Sequence, residues 1–74
     1  MVGTIWLHRP SADGGTDYVC FRSRNGDVEI LEGYHLPPQM PLLKSRLSLG
    51  SVQARHRRHD LETRLGYRHG PPVF

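Results

Sequence analysis

The sequence predicts a small α+β domain: a β-hairpin, extended to a three-stranded sheet if the N-terminal segment joins it, with a C-terminal helical segment and flexible termini. Three observations predict it. Asn25-Gly26 sits in the middle of an apolar-polar alternation over 17–34, a connector with three prolines follows at 35–41, and apolar residues then recur at three- and four-residue steps. The 74 residues divide accordingly. Residues 1–16 read as an extended N-terminal arm or edge strand plus linker, 17–66 as a compact hairpin-helix domain, and 67–74 as a flexible tail.

Asn25-Gly26 takes φ > 0 at both central positions more readily than most dipeptides, as a two-residue type I′ turn demands. The turn sets the register. Arg24 is expected opposite Asp27, Ser23 opposite Val28, Arg22 opposite Glu29, Phe21 opposite Ile30, Cys20 opposite Leu31 and Val19 opposite Glu32. Two ion pairs then share one face, and Val19, Phe21, Val28 and Ile30 form an apolar cluster on the other.

Ahead of the hairpin, Val2 to His8 alternates, with Ile5 and Leu7 on one side and Trp6 and His8 on the other. It reads either as a third strand or as an extended arm. Pro10 ends it, and residues 11–16 form a turn-rich linker. Asp13-Gly14-Gly15 lacks the spacing and the following Lys-Ser/Thr of a phosphate-binding loop.

Behind the hairpin, Gly33 marks the strand end and Pro37, Pro38 and Pro41 stiffen an extended connector. A helix is expected from Pro41, with Leu42, Leu43, Leu47 and Leu49 on its apolar side. Leu43, Leu47, Gly50, Ala54, Leu61 and Leu65 form one stripe, so the region reads as a bent or two-part helix. Gly50-Ser51 marks the break, Ser51 is a candidate cap for the second part, and Gly66 suits a left-handed C-cap.

Composition narrows the function. One cysteine, Cys20, excludes an internal disulfide and a multi-cysteine zinc site, and fits a reducing, cytoplasmic setting. The N-terminus lacks the charged and apolar regions of an export signal, and no stretch is apolar for long enough to span a membrane. Charge is uneven within the net +3. Residues 1–37 hold three arginines against five carboxylates, whereas 38–74 hold seven cations against two, which points to an acidic partner.

The densest cationic run is Arg55-His56-Arg57-Arg58-His59. These five residues surround a helix, so some face solvent or a partner: an acidic protein surface, nucleic acid phosphates, or water alone. His56 and His59 share a helical face, but the flanking arginines repel a dication, and no metal or other cofactor is expected. Catalysis is not expected either, because Cys20 lies mid-strand opposite Leu31, where a thiol behaves as a small hydrophobe. If the N-terminal segment is an arm, Ile5, Trp6 and Leu7 become exposed anchors for a partner; if it is a strand, they complete the core.

In its length, single cysteine, apolar leader Thr4-Ile5-Trp6-Leu7-His8, compact middle and basic C-terminal half, the chain resembles small phage-encoded proteins that bind host bacterial RNA polymerase. That resemblance implies a non-enzymatic transcription regulator in the host cytoplasm, inhibiting initiation and acting in antitermination. The partner-binding residues assigned on physical grounds are Ile5, Trp6, Leu7 and His8 in the leader and Arg55, Arg57 and Arg58 in the basic run. The alternative is a small nucleic-acid-binding module that uses Arg55, Arg57 and Arg58 on phosphates.

Overall fold

A computed structural model describes residues 3–74, so the expected start of the first strand at Val2 lies outside the described residues. Strands β1 (Thr4–Pro10), β2 (Thr16–Arg24), β3 (Asp27–His35) and β4 (Leu42–Gly50) run as an antiparallel meander. Helix α1 (Ser51–Thr63) and a two-residue strand, β5 (Arg68–His69), complete the chain. The sheet order is β4-β3-β2-β1-β5, so the expected three strands undercount a sheet of five.

Asn25 and Gly26 adopt φ of 47° and 87°, and all six expected pairs across β2 and β3 are present. The N-terminal segment is a strand, paired with β2 from Thr4↔Arg22 to Pro10↔Thr16. A tight loop joins the two strands. Ser11 and Gly15 are linked by a 2.8 Å backbone bond, and the Gly15 amide donates to Asp13 Oδ1 at 3.1 Å.

Residues 42–50 are a strand and not the first part of a helix, which corrects the expected span of the C-terminal helical segment. The leucine spacing misleads for a physical reason: the four-residue step from Leu43 to Leu47 matches a helical repeat, while the strand period is hidden because the bulge at Lys44 lies between them, pairing Leu43 with Gly33 and Leu47 with Ile30 on opposite faces. The choice is made by β3, whose second edge takes β4 from Asp27↔Gly50 to Tyr34↔Leu42. One bulge interrupts this ladder at Glu32/Gly33. There Gly33 is required, because a β-carbon would collide with the Leu42 carbonyl and the Tyr18 ring. Tyr18 reaches across β3 and donates its hydroxyl to that carbonyl at 2.8 Å.

Helix α1 starts directly after β4 with Gly50 in the N-cap position and no side-chain cap, so Ser51 is its first helical residue and not its cap. Two residues seven apart, Ala54 and Leu61, are buried. The helix ends at Thr63, so Leu65, the last residue of the expected apolar stripe, lies beyond it. Gly66, at φ 75°, then turns the chain so that the Tyr67 amide donates to the Leu61 carbonyl at 3.0 Å.

The central strands β1, β2 and β3 are buried on both faces, which explains the unbroken apolar run Tyr18-Val19-Cys20-Phe21. On the helix side, Leu7, Val19, Phe21, Val28 and Ile30 pack with Ala54, Leu61 and Tyr67, flanked by Ile5 and Leu49. On the other side Trp6, Tyr18, Cys20 and Leu31 form a second cluster, with Val73 packed against it. Phe74 sets its ring edge-on to Trp6 at 4.8 Å. Residues 67–74, expected as a flexible tail, therefore cover one core with Tyr67 and the other with Val73 and Phe74. Within the described residues no helix is long and apolar enough to cross a membrane.

Candidate partner-binding surface

The sequence-assigned residues divide into buried and available. Leu7 is fully buried and Trp6 nearly so, in opposite cores, because strand alternation sends successive side chains to opposite faces. Neither can reach a partner while the sheet is intact. Ile5 is half-buried against the helix-side core. His8 is half-buried too, and one of its ring nitrogens lies 2.6 Å from the Pro71 carbonyl oxygen. The structure thus does not gather the leader into an exposed patch.

In the basic run, Arg57 donates to both oxygens of Glu32 on β3 at 3.0 and 3.2 Å, which ties the helix to the sheet. Arg58 donates to Glu62 at 2.7 Å and sits 3.3 Å from His69. Arg55 is exposed, with no ion pair to another described residue. Of the three arginines, it alone is not committed to a carboxylate.

The opposite sheet edge is more accessible. β4 is the terminal strand, and all nine of its residues except half-buried Leu49 are exposed. Leu42, Leu43 and Leu47 expose 59%, 47% and 38% of their surface, and neighbouring Met40 and Val52 are exposed as well. The edge at β1 is blunted by contrast, because β5 covers it with two residues, the Gly70 amide donates to the Trp6 carbonyl, and Pro10 ends the strand.

Cations border the β4 edge. Glu29 on β3 accepts hydrogen bonds from Arg22, while Arg24 and Arg46 stand 3.7 Å from it, beyond hydrogen-bond range. The Arg22 bond and the surrounding guanidinium charges hold the Glu29 carboxyl below the usual glutamate range. A depression of ≈ 420 Å³ opens here, lined by Arg24, Asp27, Glu29, Arg46 and Ser48. At the bulge, the Lys44 ammonium lies 5.4 Å from the centre of the Tyr34 ring.

A helix over 42–50 hides Lys44, Arg46 and the three exposed leucines as candidate contact residues. The period-two pattern Lys44-Ser45-Arg46-Leu47-Ser48-Leu49 is the signal that identifies the strand.

Two further features have little chemistry to offer. Cys20 is fully buried, and burial pushes its thiol up, which is the reverse of what an activated nucleophile needs. A cleft of ≈ 730 Å³ near His8, Gly15, Arg68 and His69 holds two imidazoles that are already engaged, His8 with Pro71 and His69 with Arg58 and Glu62. Among the described residues no three His, Cys, Asp or Glu side chains are grouped to hold a metal ion. No family model, curated protein or solved structure matches the chain.

Proposed function

We propose that the protein is a non-enzymatic, phage-encoded regulator that works in the host cytoplasm by binding a protein, with bacterial RNA polymerase as the partner. Binding alters transcription by inhibiting initiation and favouring antitermination. The observation that supports protein binding is the open β4 edge, where exposed leucines and unpaired backbone groups lie beside Arg24 and Arg46. The partner's identity rests on the resemblance in size, cysteine content and charge asymmetry. On this reading the contacts are made by β4 and Arg55 and not by the leader, in which Trp6 and Leu7 are buried and Ile5 and His8 half-buried.

The test is a tagged pull-down from bacterial lysate, treated with nuclease and washed at moderate salt. Recovery of RNA polymerase subunits is the expected result. Recovery of nucleic acid before nuclease treatment, and of no protein after it, would overturn the proposal.

A second reading, a nucleic-acid-binding module, draws on exposed Arg55, His56, His59 and Arg68. It is the weaker one, because Arg57 and Arg58 already serve Glu32 and Glu62. On that reading affinity falls steeply as salt rises, since phosphate contacts release counterions.

A further inference from the structure

We infer that the β4 edge is a strand-addition site for an acidic extended peptide, a partner segment with carboxylates on the Arg46 face and apolar side chains beside Leu47. The inference rests on the protein-binding reading above and specifies its chemistry. Three observations carry it.

The edge is long, and among the described residues its outer side has no neighbour in the sheet. In an antiparallel ladder, alternate residues of an edge strand direct amide and carbonyl groups outward, so β4 offers about four such residues to an added strand. No proline interrupts Leu42–Gly50. The chain blunts its other edge with a two-residue strand and leaves this one open.

The two faces of the edge differ. Up to the bulge, Leu47 and Leu49 pair with Ile30 and Val28 and so lie on the helix face, where Leu49 packs against the core and Leu47 is left partly uncovered. Arg46 pairs with Leu31 and lies on the other face, beside Arg22, Arg24, Asp27 and Glu29. An added strand alternates in the same way, so its apolar residues extend the helix-side core while its polar residues meet Arg46.

Charge then selects the occupant. On that face three guanidinium groups converge on the Glu29 carboxylate, and the ≈ 420 Å³ depression beside Arg24 and Arg46 gives a further carboxylate room to approach both. A second copy of this chain would place its own Lys44 and Arg46 along the same edge, and like charges facing each other across a ladder repel. An acidic strand supplies what a second copy lacks.

The experiment uses the intact chain and a fluorescein-labelled ten-residue peptide alternating glutamate and valine. Three controls accompany it: a lysine-valine counterpart, a version N-methylated along one edge, and an oligouridine of matching length. Fluorescence anisotropy reads binding, and hydrogen exchange reads protection along Leu42–Gly50. The glutamate peptide is expected to bind and to slow exchange in β4 and not in β1. The lysine peptide is expected to fail, and N-methylation to abolish binding, because it removes backbone donors while keeping every charge. Replacing Arg24 and Arg46 together by glutamine, Arg24→Gln with Arg46→Gln, is expected to weaken the glutamate peptide about tenfold. Both side chains are more than half exposed, so the variant retains the fold.

Equal binding of the N-methylated peptide would overturn strand addition. So would binding of oligouridine alone, or β4 protection that appears without peptide and rises with protein concentration, the mark of a second copy. If the glutamate peptide fails while the pull-down still retains a protein partner, strand addition is wrong and the protein-binding reading stands. If the pull-down is also empty, both fall.

Discussion

Helix α1 is attached through very little apolar surface, and Leu61→Ala measures how much that matters. Only Ala54 and Leu61 of its thirteen residues are buried, and Leu61 is 1% exposed. Truncation removes the isopropyl end, three carbons, about 2.4 kcal/mol at about 0.8 kcal/mol per carbon. Part of the cavity remains, because the sheet beneath cannot move and only the helix can settle, which brings the expected loss to about 3 kcal/mol. A chain of this length is expected to hold roughly 4–11 kcal/mol in all, so the loss is a large share of it. A helix of thirteen residues is marginal alone in water, so α1 should melt with the sheet contact and not persist detached. Urea denaturation followed by far-UV circular dichroism and by Trp6 fluorescence reads both quantities. A loss below about 1 kcal/mol would refute the argument, because it would mean that Leu61 is not what docks the helix.

Three further predictions concern the sheet and its loops. Trp6→Ala should lower stability by about 3–5 kcal/mol through lost packing with Tyr18 and Phe74, measured by urea unfolding; an unchanged midpoint would return Trp6 to the role of a partner anchor. Glu29 has a lowered folded-state pKa, so its contribution is present above the ordinary glutamate value and is lost as pH falls through the folded one. Glu29→Gln should therefore flatten the acid limb of a stability-pH profile, and an acid limb like that of the wild type would contradict the ion cluster. Tyr34 donates its hydroxyl to Asp13 at 2.6 Å, which pushes its pKa up to about 12. The stability it confers is lost as pH rises from the ordinary tyrosine value toward that figure, and because burial also raises Tyr18 and Tyr67, ultraviolet titration of Tyr34→Phe against wild type should lose one of three late transitions and leave the other two in place.

The legible parts of the fold are those fixed by local chemistry. Asn25-Gly26 dictates a turn geometry, and with no free loop length the register of β2 and β3 follows from it. Alternation in Ile5-Trp6-Leu7-His8 identifies the facing of β1, but whether it pairs depends on the outer edge of β2, which no local pattern reports. β4 is only partly legible for a related reason. Leu43 and Leu47 fit a helical step while the bulge between them breaks the strand period, which survives only over 44–49, and the requirement of β3 for a second neighbour is a property of the assembled sheet. The second core was hidden in plain residues. Cys20 and Leu31 are correctly paired by the hairpin, yet the cluster they form with Trp6 and Tyr18 is covered by Val73, with Phe74 edge-on to Trp6 and Tyr18, and these two residues carry no periodicity and lie more than forty positions away in the chain.

The candidate surface follows the same division. Counting Arg55, Arg57 and Arg58 as a basic patch requires only the sequence, whereas finding that Glu32 occupies Arg57 requires the helix to lie across β3. Glu32 and Arg57 are 25 residues apart, so no local rule links them. Leu42, Leu43 and Leu47 were expected inside a helix interface and are instead on the outermost strand. Their exposure is what moves the proposed contact from the N-terminal leader to β4.

The most direct test of protein binding through β4 is the nuclease-treated pull-down run in parallel with wild type and with the Arg24→Gln, Arg46→Gln variant. The account predicts that wild type retains a protein partner, RNA polymerase subunits among the recovered chains, and that the variant loses most of it while remaining folded. Equal retention by the two proteins would contradict the claim that this edge is the binding surface.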